Sequence, residues 1–380
     1  MRYRIGAVLC GLLLLLTGCW DYRELEFIDF VLGIGIDQVE PDFKLVAEVI
    51  KVEGVQETEF APEVLTTGGR TFLSSARSLE KEAGIRLFWA HAQVLIIGEE
   101  VARREVLPAV EFAIRDPEFR TSLLLFVAKE CSAEDIFKSK SPIANSISDH
   151  LRNVAEFHRR VPTCFIQKLW EFRQTLQMDG ISAVLPTIRL LGEGPDQIPV
   201  LEGSAAFRQG QMVGFLDGEE TRIYSLLKGK TDRGPLVVEW EGDSEKGKIT
   251  YVIRSNQVRI KAVEQEKRPK ISIDVELGVE LMELGSLTPD FEDPAVLSEL
   301  ERGIGAEIEG QIKNLITKAQ TEFKSDIFGF GLRLKQRIPK IWRLYEEDWE
   351  QVFSDLEVDV QVLGRLVATG VLSKPLRMRE

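Results

Sequence analysis

The chain carries one cysteine in a setting where its thiol could be modified. Cys19 closes the run Leu16-Thr17-Gly18-Cys19, which ends an uncharged apolar segment of about a dozen residues preceded by two arginines. A positively charged start, a short apolar core and small residues before a cut are typical of an export signal. A transmembrane helix needs ~20 apolar residues, so the segment predicts a cleaved signal rather than a membrane span.

The ending Leu-x-Gly-Cys resembles a bacterial lipobox, in which the cysteine thiol is lipidated and the chain is cut directly before it. On this interpretation residues 1–18 are a lipoprotein signal peptide and residues 19–26 a lipidated polar tether, with diacylglycerol and an acyl chain such as palmitate on Cys19. Each buried methylene contributes ~0.8 kcal/mol, so one acyl chain binds marginally and two or three anchor stably. An incidental cysteine in an ordinary secretory signal is the alternative.

Elsewhere the residue types that perform catalysis lack the spacing they need. Gly229-Lys230-Thr231 ends like a phosphate-binding loop, but the glycine required five positions before Gly229 is Tyr224. None of the three histidines stands at metal-binding spacing, and no Cys-x-x-Cys occurs. The sequence therefore predicts no enzyme, no metal site and no cofactor apart from the lipid.

His91 is the histidine for which two interpretations stay open. It lies in a predicted strand from Leu87 to Ile97, on the same face as Trp89 and Gln93. A histidine in such a place is most often a core or sheet-face group with one satisfied partner. The alternative is a polar group in a surface for a partner or ligand.

The composition describes an acidic protein that can bury substantial cores. Its formal net charge is -13, with 44% hydrophobic and 29% charged residues. An acidic body argues against a nucleic-acid partner and is weakly repelled by an anionic membrane, which makes a covalent tether more useful. Cys131 and Cys164 remain after the signal and the lipid site; they could pair, but we favour free buried thiols.

The strands and helices predicted around these residues indicate an α+β fold. In residues 27–195 strands alternate with helices, which indicates a mixed α/β region, with two subdomains split near residue 131 as an option. A Gly-Glu-Gly-Pro turn ends that region. Residues 196–380 supply several strands and then a helix predicted from Val296 to Phe323, so we expect an antiparallel sheet packed by a long helix. Single helices are also predicted at 99–114 and 342–353.

Three stretches together resemble a known family. They are Gly18-Cys19-Trp20-Asp21-x-x-Glu24-Leu25 with Gly33-Ile34-Gly35-Ile36-Asp37; Leu87-Phe88-Trp89-Ala90-His91 with Val94-Leu95-Ile96-Ile97-Gly98; and Asp326-Ile327-Phe328-Gly329-Phe330-Gly331 with Pro339, Trp342 and Trp349. In this order, over nearly the whole mature chain, they look like the Ger(x)C family of spore germination lipoproteins. Ala90 departs from the serine that more often precedes the histidine.

The resemblance implies the C subunit of a GerA-type nutrient germinant receptor. Such a subunit is anchored by lipid at the outer face of the inner spore membrane and assembles with an A-type and a permease-like B-type integral membrane subunit. The resemblance also implies a three-part α/β architecture and no known catalytic activity. It marks these residues as candidates for interaction or structural roles: Trp20, Asp21, Asp37, His91, Gly329, Gly331 and Trp342.

The sequence thus predicts a lipid-anchored, non-enzymatic receptor subunit that helps nutrients to trigger spore germination. A solute-binding lipoprotein of a transporter is the alternative, but it would need two similar lobes around a cleft. A lipoprotein hydrolase is opposed by the missing nucleophile motifs. We expect the segment from Asp326 to Trp349 to serve folding, because Gly329 and Gly331 stand among large apolar residues; a docking loop is the alternative.

Overall fold

The computed structural model describes residues 28–51, 62–157, 163–230, 234–241, 246–285, 287, 291 and 293–368. The predictions for Leu16, Thr17, Gly18, Cys19, Trp20 and Asp21 lie outside the described residues. Among the described residues, no helix has the length and apolar character that a membrane crossing requires.

The larger sheet contains ten strands among the described residues: β1 (Ile28–Val39), β2 (Asp42–Ile50), β3 (Glu63–Gly69), β4 (Arg86–Phe88), β5 (Val94–Ile97), β6 (Leu124–Ala128), β7 (Gln167–Lys168), β8 (Val184–Leu191), β9 (Ile198–Arg208) and β10 (Gln211–Leu216). Their order in the sheet is β10-β9-β8-β6-β5-β1-β2-β3, with β4 beside β1 and β7 beside β6. The central strands β1, β5, β6 and β8 are parallel, and antiparallel strands flank them. Parallel strands are covered on both faces, which explains why β5 and β6 are uninterrupted apolar runs.

In the part of the chain that the structure describes, six helices cover this sheet on its two faces. They are α1 (Phe72–Ala83), α2 (Glu99–Arg104), α3 (Leu107–Arg115), α4 (Ala133–Lys138), α5 (Ile147–Phe157) and α6 (Leu169–Leu176). One core contains apolar residues of α1, α2, α3 and α6, and the other contains those of α4 and α5. The predicted mixed α/β region is therefore confirmed.

Two element predictions in this half are wrong in detail. The predicted strand from Leu87 to Ile97 is interrupted by a 3-10 turn at Trp89–His91, which separates β4 from β5. The predicted helix at 99–114 breaks after Arg104, because the Val106 N–H donates to the carbonyl of Gly210 (2.9 Å) instead of continuing the helix. In the helix, a tertiary contact decides where the element ends.

The smaller sheet contains β11 (Pro235–Glu241), β12 (Lys246–Gln265), β13 (Arg268–Glu283) and β14 (Glu357–Ala368), in that order. The first two pairings are antiparallel, as predicted, whereas β14 pairs with β13 in parallel. The parallel pairing follows from the connection, because the chain leaves β13 through several helices and returns along the same direction.

Among the residues that the structure describes, five helices accompany the smaller sheet: α7 (Gly218–Leu227), α8 (Pro294–Lys318), α9 (Phe330–Arg337), α10 (Pro339–Tyr345) and α11 (Trp349–Ser354). The long helix α8 packs as predicted and ends in a π-turn at Ala319–Phe323. Gly305 lets α8 approach β14, since a Cβ there would lie 2.8 Å from the Val362 carbonyl oxygen. The single helix predicted at 342–353 is divided between α10 and α11.

The larger sheet includes the two strands that follow residue 195, β9 and β10. Strand β9 pairs with β8 and β10 pairs with β9, so the larger sheet continues across the predicted boundary at 195/196. Residue 131 lies between β6 and α4, which pack on the same sheet. The division into domains at these positions stays a prediction.

Candidate functional site

Residues 325–331, which we call the junction loop and which include the first two residues of α9, are hydrogen-bonded to segments of the other half of the chain. The Ser325 hydroxyl donates to the carbonyl of Phe207 (2.6 Å) at the end of β9. The Ser182 N–H donates to the Asp326 carbonyl (2.8 Å), and the Leu332 N–H donates to the Gly180 carbonyl (2.7 Å). Backbone groups of both halves therefore satisfy one another here.

Asp326 is the centre of the junction loop. Its Oδ1 accepts from the N–H groups of Gly329 (2.8 Å) and Phe330 (3.1 Å). Its Oδ2 accepts from the N–H of Gly331 (2.8 Å) and from Nε1 of Trp349 (3.1 Å). The carboxylate thus holds the free N–H groups at the start of α9, where negative charge is favoured. Burial raises the pKa of Asp326 above its ordinary value, while these backbone donors act in the opposite direction.

The two candidate glycines of the junction loop have different geometric roles. Gly329 has φ +80°, in the left-handed region that favours glycine. A Cβ at Gly331 would lie 2.6 Å from the Trp349 indole and 2.7 Å from the Gly180 Cα. Candidate Trp342 lies beside Trp349, with ring centroids 5.4 Å apart. The structure therefore brings Gly329, Gly331 and Trp342 together around Asp326.

Lys228 contributes a half-buried amine to the same junction. Its Nζ donates to the Phe328 carbonyl (2.9 Å) and lies 5.4 Å from the centre of the Tyr224 ring. Burial lowers the pKa of Lys228 to about 8, although the charge of Asp326 opposes that shift. The Tyr224 hydroxyl donates to the Ile327 carbonyl (3.3 Å). The Asp326 carboxylate, the Lys228 amine and the Tyr224 hydroxyl therefore all bind backbone groups of the junction loop, which is a structural role.

A groove of about 830 Å³ opens between the two halves beside the junction loop. Its apolar lining includes Leu176, Met178, Ile181, Phe207 and Trp342. Its carboxylates, apart from Asp326, are Asp179, Glu346, Glu347, Asp348 and Glu350. No local sequence pattern predicted this groove, because its lining comes from segments far apart in the chain.

Asp37 lies outside this groove, near the C-terminal end of β1, and like Asp326 it accepts from backbone N–H groups at the start of a helix. Its carboxylate accepts from the N–H groups of Ala133 (2.8 Å) and Glu134 (3.1 Å) at the start of α4. A Cβ at Gly98 would lie 2.6 Å from Oδ1 of Asp37, so glycine makes room for the carboxylate. Burial raises the pKa of Asp37, and the two backbone donors lower it.

Glu48 is a third carboxylate of this kind, and sequence reasoning missed it. In β2 the apolar Leu45, Ala47 and Val49 alternate with a second set of residues that includes Glu48. This alternation would place Glu48 on the face opposite the core, yet Glu48 is only 1% exposed. It accepts from the N–H groups of Ile147 (2.7 Å) and Ser148 (2.9 Å) and from the Ser148 hydroxyl. Helix α5 covers the second face of the sheet, which is why the alternation failed. An acidic residue within a strand buried on both sides was the available signal.

His91 also lies outside the groove, on the 3-10 turn. The prediction of a core or sheet-face position is wrong, because the His91 side chain is exposed. Its ring packs edge-on against Phe30 (centroids 4.8 Å apart) and lies 5.5 Å from the Phe88 ring. The turn carries His91 out of the sheet while Trp89 enters the core.

Cys131 and Cys164 carry free thiols, as we favoured, but only Cys164 is buried and Cys131 is half-buried. Burial raises the pKa of the Cys131 thiol to about 11 and that of Cys164 to about 12, so both are protonated at neutral pH. Within the described residues no cluster of histidine, cysteine and acidic side chains could hold a metal ion.

Two family models match the chain. The model described as "Spore germination protein N-terminal domain" matches residues 21–190. The model described as "Spore germination B3/ GerAC like, C-terminal" matches residues 202–370. Between them they span both sheets and the groove.

Relatives and a solved structure agree with these matches. Spore germination protein KC of Bacillus subtilis (strain 168) is 24% identical, over 96% of this chain and 95% of the relative. Spore germination protein B3 of the same organism is 22% identical, over 97% of this chain and 98% of the relative. The crystal structure of the GerBC protein has a TM-score of 0.57 at 20% identity, covering 91% of this chain and 100% of that chain, and it shows the same fold.

Proposed function

Because the chain belongs to the GerAC/GerBC-like family of spore germination proteins, as a C subunit, we propose that it is the lipid-anchored, non-enzymatic C subunit of a nutrient germinant receptor. It assembles with an A-type and a B-type integral membrane subunit, and the complex triggers spore germination. Its place is the outer face of the inner spore membrane.

The observation that carries the proposal is the Leu16-Thr17-Gly18-Cys19 motif at the head of a chain that matches the family over both halves. A lipid on Cys19 attaches an acidic body to a membrane that its charge would not favour. At most ~30 Å of extended chain separates Cys19 from the first strand, which keeps the body close to the bilayer.

The chemistry of the described site fits a binding subunit. Asp37, Glu48 and Asp326 are occupied with backbone N–H groups, and Lys228 and Tyr224 with carbonyls. Among the described residues, the one hydroxyl that donates to these carboxylates is that of Ser148, on Glu48, and this pair is fully buried in the core. A transporter's solute-binding protein would have two similar lobes, whereas here a ten-stranded sheet adjoins a four-stranded one.

The test replaces Cys19 by alanine in the native organism. We expect loss of fatty-acid labelling, an uncut precursor, and spores that no longer germinate with the nutrient but still germinate with a stimulus that bypasses receptors. Replacement of Cys131 by alanine is the matched control and should leave labelling and germination intact. Equal labelling of Cys19→Ala and unmodified protein, or full nutrient germination, would refute the proposal.

A further inference from the structure

We infer that the groove between the two sheets docks a short basic segment of a partner protein, with lysine or arginine interspersed among apolar residues. The inference rests on the proposed function, since subunits of one receptor must contact each other. It adds a location and a chemistry for that contact.

The first argument is charge. Apart from Asp326, the groove is lined by five carboxylates but only two cations, Arg208 and Lys324. Of the carboxylates, Asp179 is paired with Lys335 (2.8 Å) and Glu350 accepts from Gln209 (2.8 Å). The other three are exposed and have no ion pair within the part of the chain that the structure describes: Glu346, Glu347 and Asp348. A cationic occupant would be attracted and held in register, and an acidic one repelled.

The second argument is an unsatisfied donor. Trp342 lines the groove and is 3% exposed, yet its indole N–H has no acceptor among the described residues. The neighbouring Trp349 donates its indole N–H to Asp326. Buried N–H groups are nearly always paired. This N–H is closed to solvent in the empty groove, so the backbone carbonyl of a docked segment would pair with it after a small turn of the indole. The apolar lining next to it suits aliphatic side chains of the same segment.

The third argument concerns the size of the groove and whether its occupant comes from this chain or from a partner. The volume of about 830 Å³ falls within the ~300–1,000 Å³ of pockets that enclose a compact ligand, which corresponds to a few residues rather than a folded domain. The chain's own tether does not fit, because it carries Asp21, Glu24 and Glu26 against Arg23. That charge has the same sign as the groove.

The test uses the full lipidated chain in a neutral detergent and fluorescein-labelled hexalysine, with hexaglutamate as the probe of opposite charge. Fluorescence anisotropy measures binding to the unmodified chain and to two triple variants. Glu346→Lys with Glu347→Lys and Asp348→Lys changes the groove. Glu100→Lys with Glu156→Lys and Glu193→Lys changes net charge equally at exposed residues outside the groove.

We expect hexalysine to bind, hexaglutamate not to bind, and the groove variant to bind roughly tenfold or more weakly, a difference of ~1.4 kcal/mol. The control variant should keep most of the affinity. Equal weakening in both variants would assign the binding to general acidity and overturn the inference. Absence of hexalysine binding would overturn it as well.

A photo-crosslinking residue in place of Gln351, which lines the groove, identifies the occupant in native membranes. We expect a crosslink to a lysine- or arginine-containing segment of an integral membrane subunit. A crosslink confined to residues 369–380 of this chain, or to a second copy, would overturn the inference. Failure of the proposed function would instead show as full germination by Cys19→Ala spores and would leave the hexalysine comparison unchanged.

Discussion

Replacement of Asp326 by asparagine should destabilise the protein strongly, although the two side chains have nearly the same shape. The Asp326 carboxylate accepts from the N–H groups of Gly329, Phe330 and Gly331 and from the indole of Trp349. An asparagine oxygen could keep two of these donors, but its NH₂ group carries hydrogens where the second acceptor stood. Two buried donors would therefore face another donor.

The size of the effect follows from those two donors. Each buried group that loses its partner costs ~1–3 kcal/mol, so we expect a loss of about 3 kcal/mol or more in the free energy of unfolding. For domains of ordinary size, ~1 kcal/mol moves the unfolding midpoint by ~2–4 °C, so about 3 kcal/mol corresponds to roughly 6–12 °C. The junction loop links both sheets, so the loss should appear in the main transition.

The assay is thermal and urea unfolding of the full chain, followed by tryptophan fluorescence. The control is Asp179→Asn, which removes only an exposed ion pair with Lys335 and should cost less than ~1 kcal/mol. In the double variant Asp326→Asn with Trp349→Phe one unsatisfied donor is gone, so the two changes should cost less than their sum.

A shift in Asp326→Asn no larger than that of Asp179→Asn would refute this account of the junction. Strict additivity in the double variant would show that the Trp349 indole does not depend on Asp326.

Three further predictions concern single side chains. Gly331→Val should lower the unfolding midpoint by several degrees, at least ~1 kcal/mol, because its Cβ would overlap the Trp349 indole; an unchanged midpoint with lost receptor assembly would favour the docking-loop alternative. Glu48→Gln should cost ~2–3 kcal/mol in urea unfolding, since one carboxylate oxygen holding the start of α5 is lost, whereas exposed Glu156→Gln should cost under ~0.5 kcal/mol. The pKa of Lys228 is lowered from 10.5 to about 8, so between these pH values the unfolded chain binds more protons and stability rises with pH. Lys228→Met should remove that rise when unfolding free energies at pH 8 and 10.5 are compared, and an unchanged rise would assign it to other groups.

Local patterns were sufficient for much of the architecture. The apolar stripe of α8 and the alternation in β13 follow from periodicity, since each element buries one face. The uninterrupted apolar run of β5 likewise marks a strand buried on both sides. These patterns predicted an α/β region followed by a sheet with a long helix, and the structure confirms it.

Local patterns failed where a distant group ends or redirects an element. The helix after β5 breaks because Val106 donates to Gly210, and no residue near Val106 announces this. The parallel pairing of β14 depends on the path of the connection rather than on the strand. Glu48 is buried because α5 packs above β2, a fact absent from the sequence around either element.

The predictions of an export signal and of a lipidation site came from the order of the residues alone, because each rests on a short contiguous segment. What Asp37, Asp326 and the glycines do could be learned only from the tertiary structure. A carboxylate becomes a helix anchor only when another segment presents free N–H groups within about 3 Å of it. The acidic groove likewise exists only because residues 176–183 and 342–354 meet across the junction loop, a contact set by the packing of two separate cores.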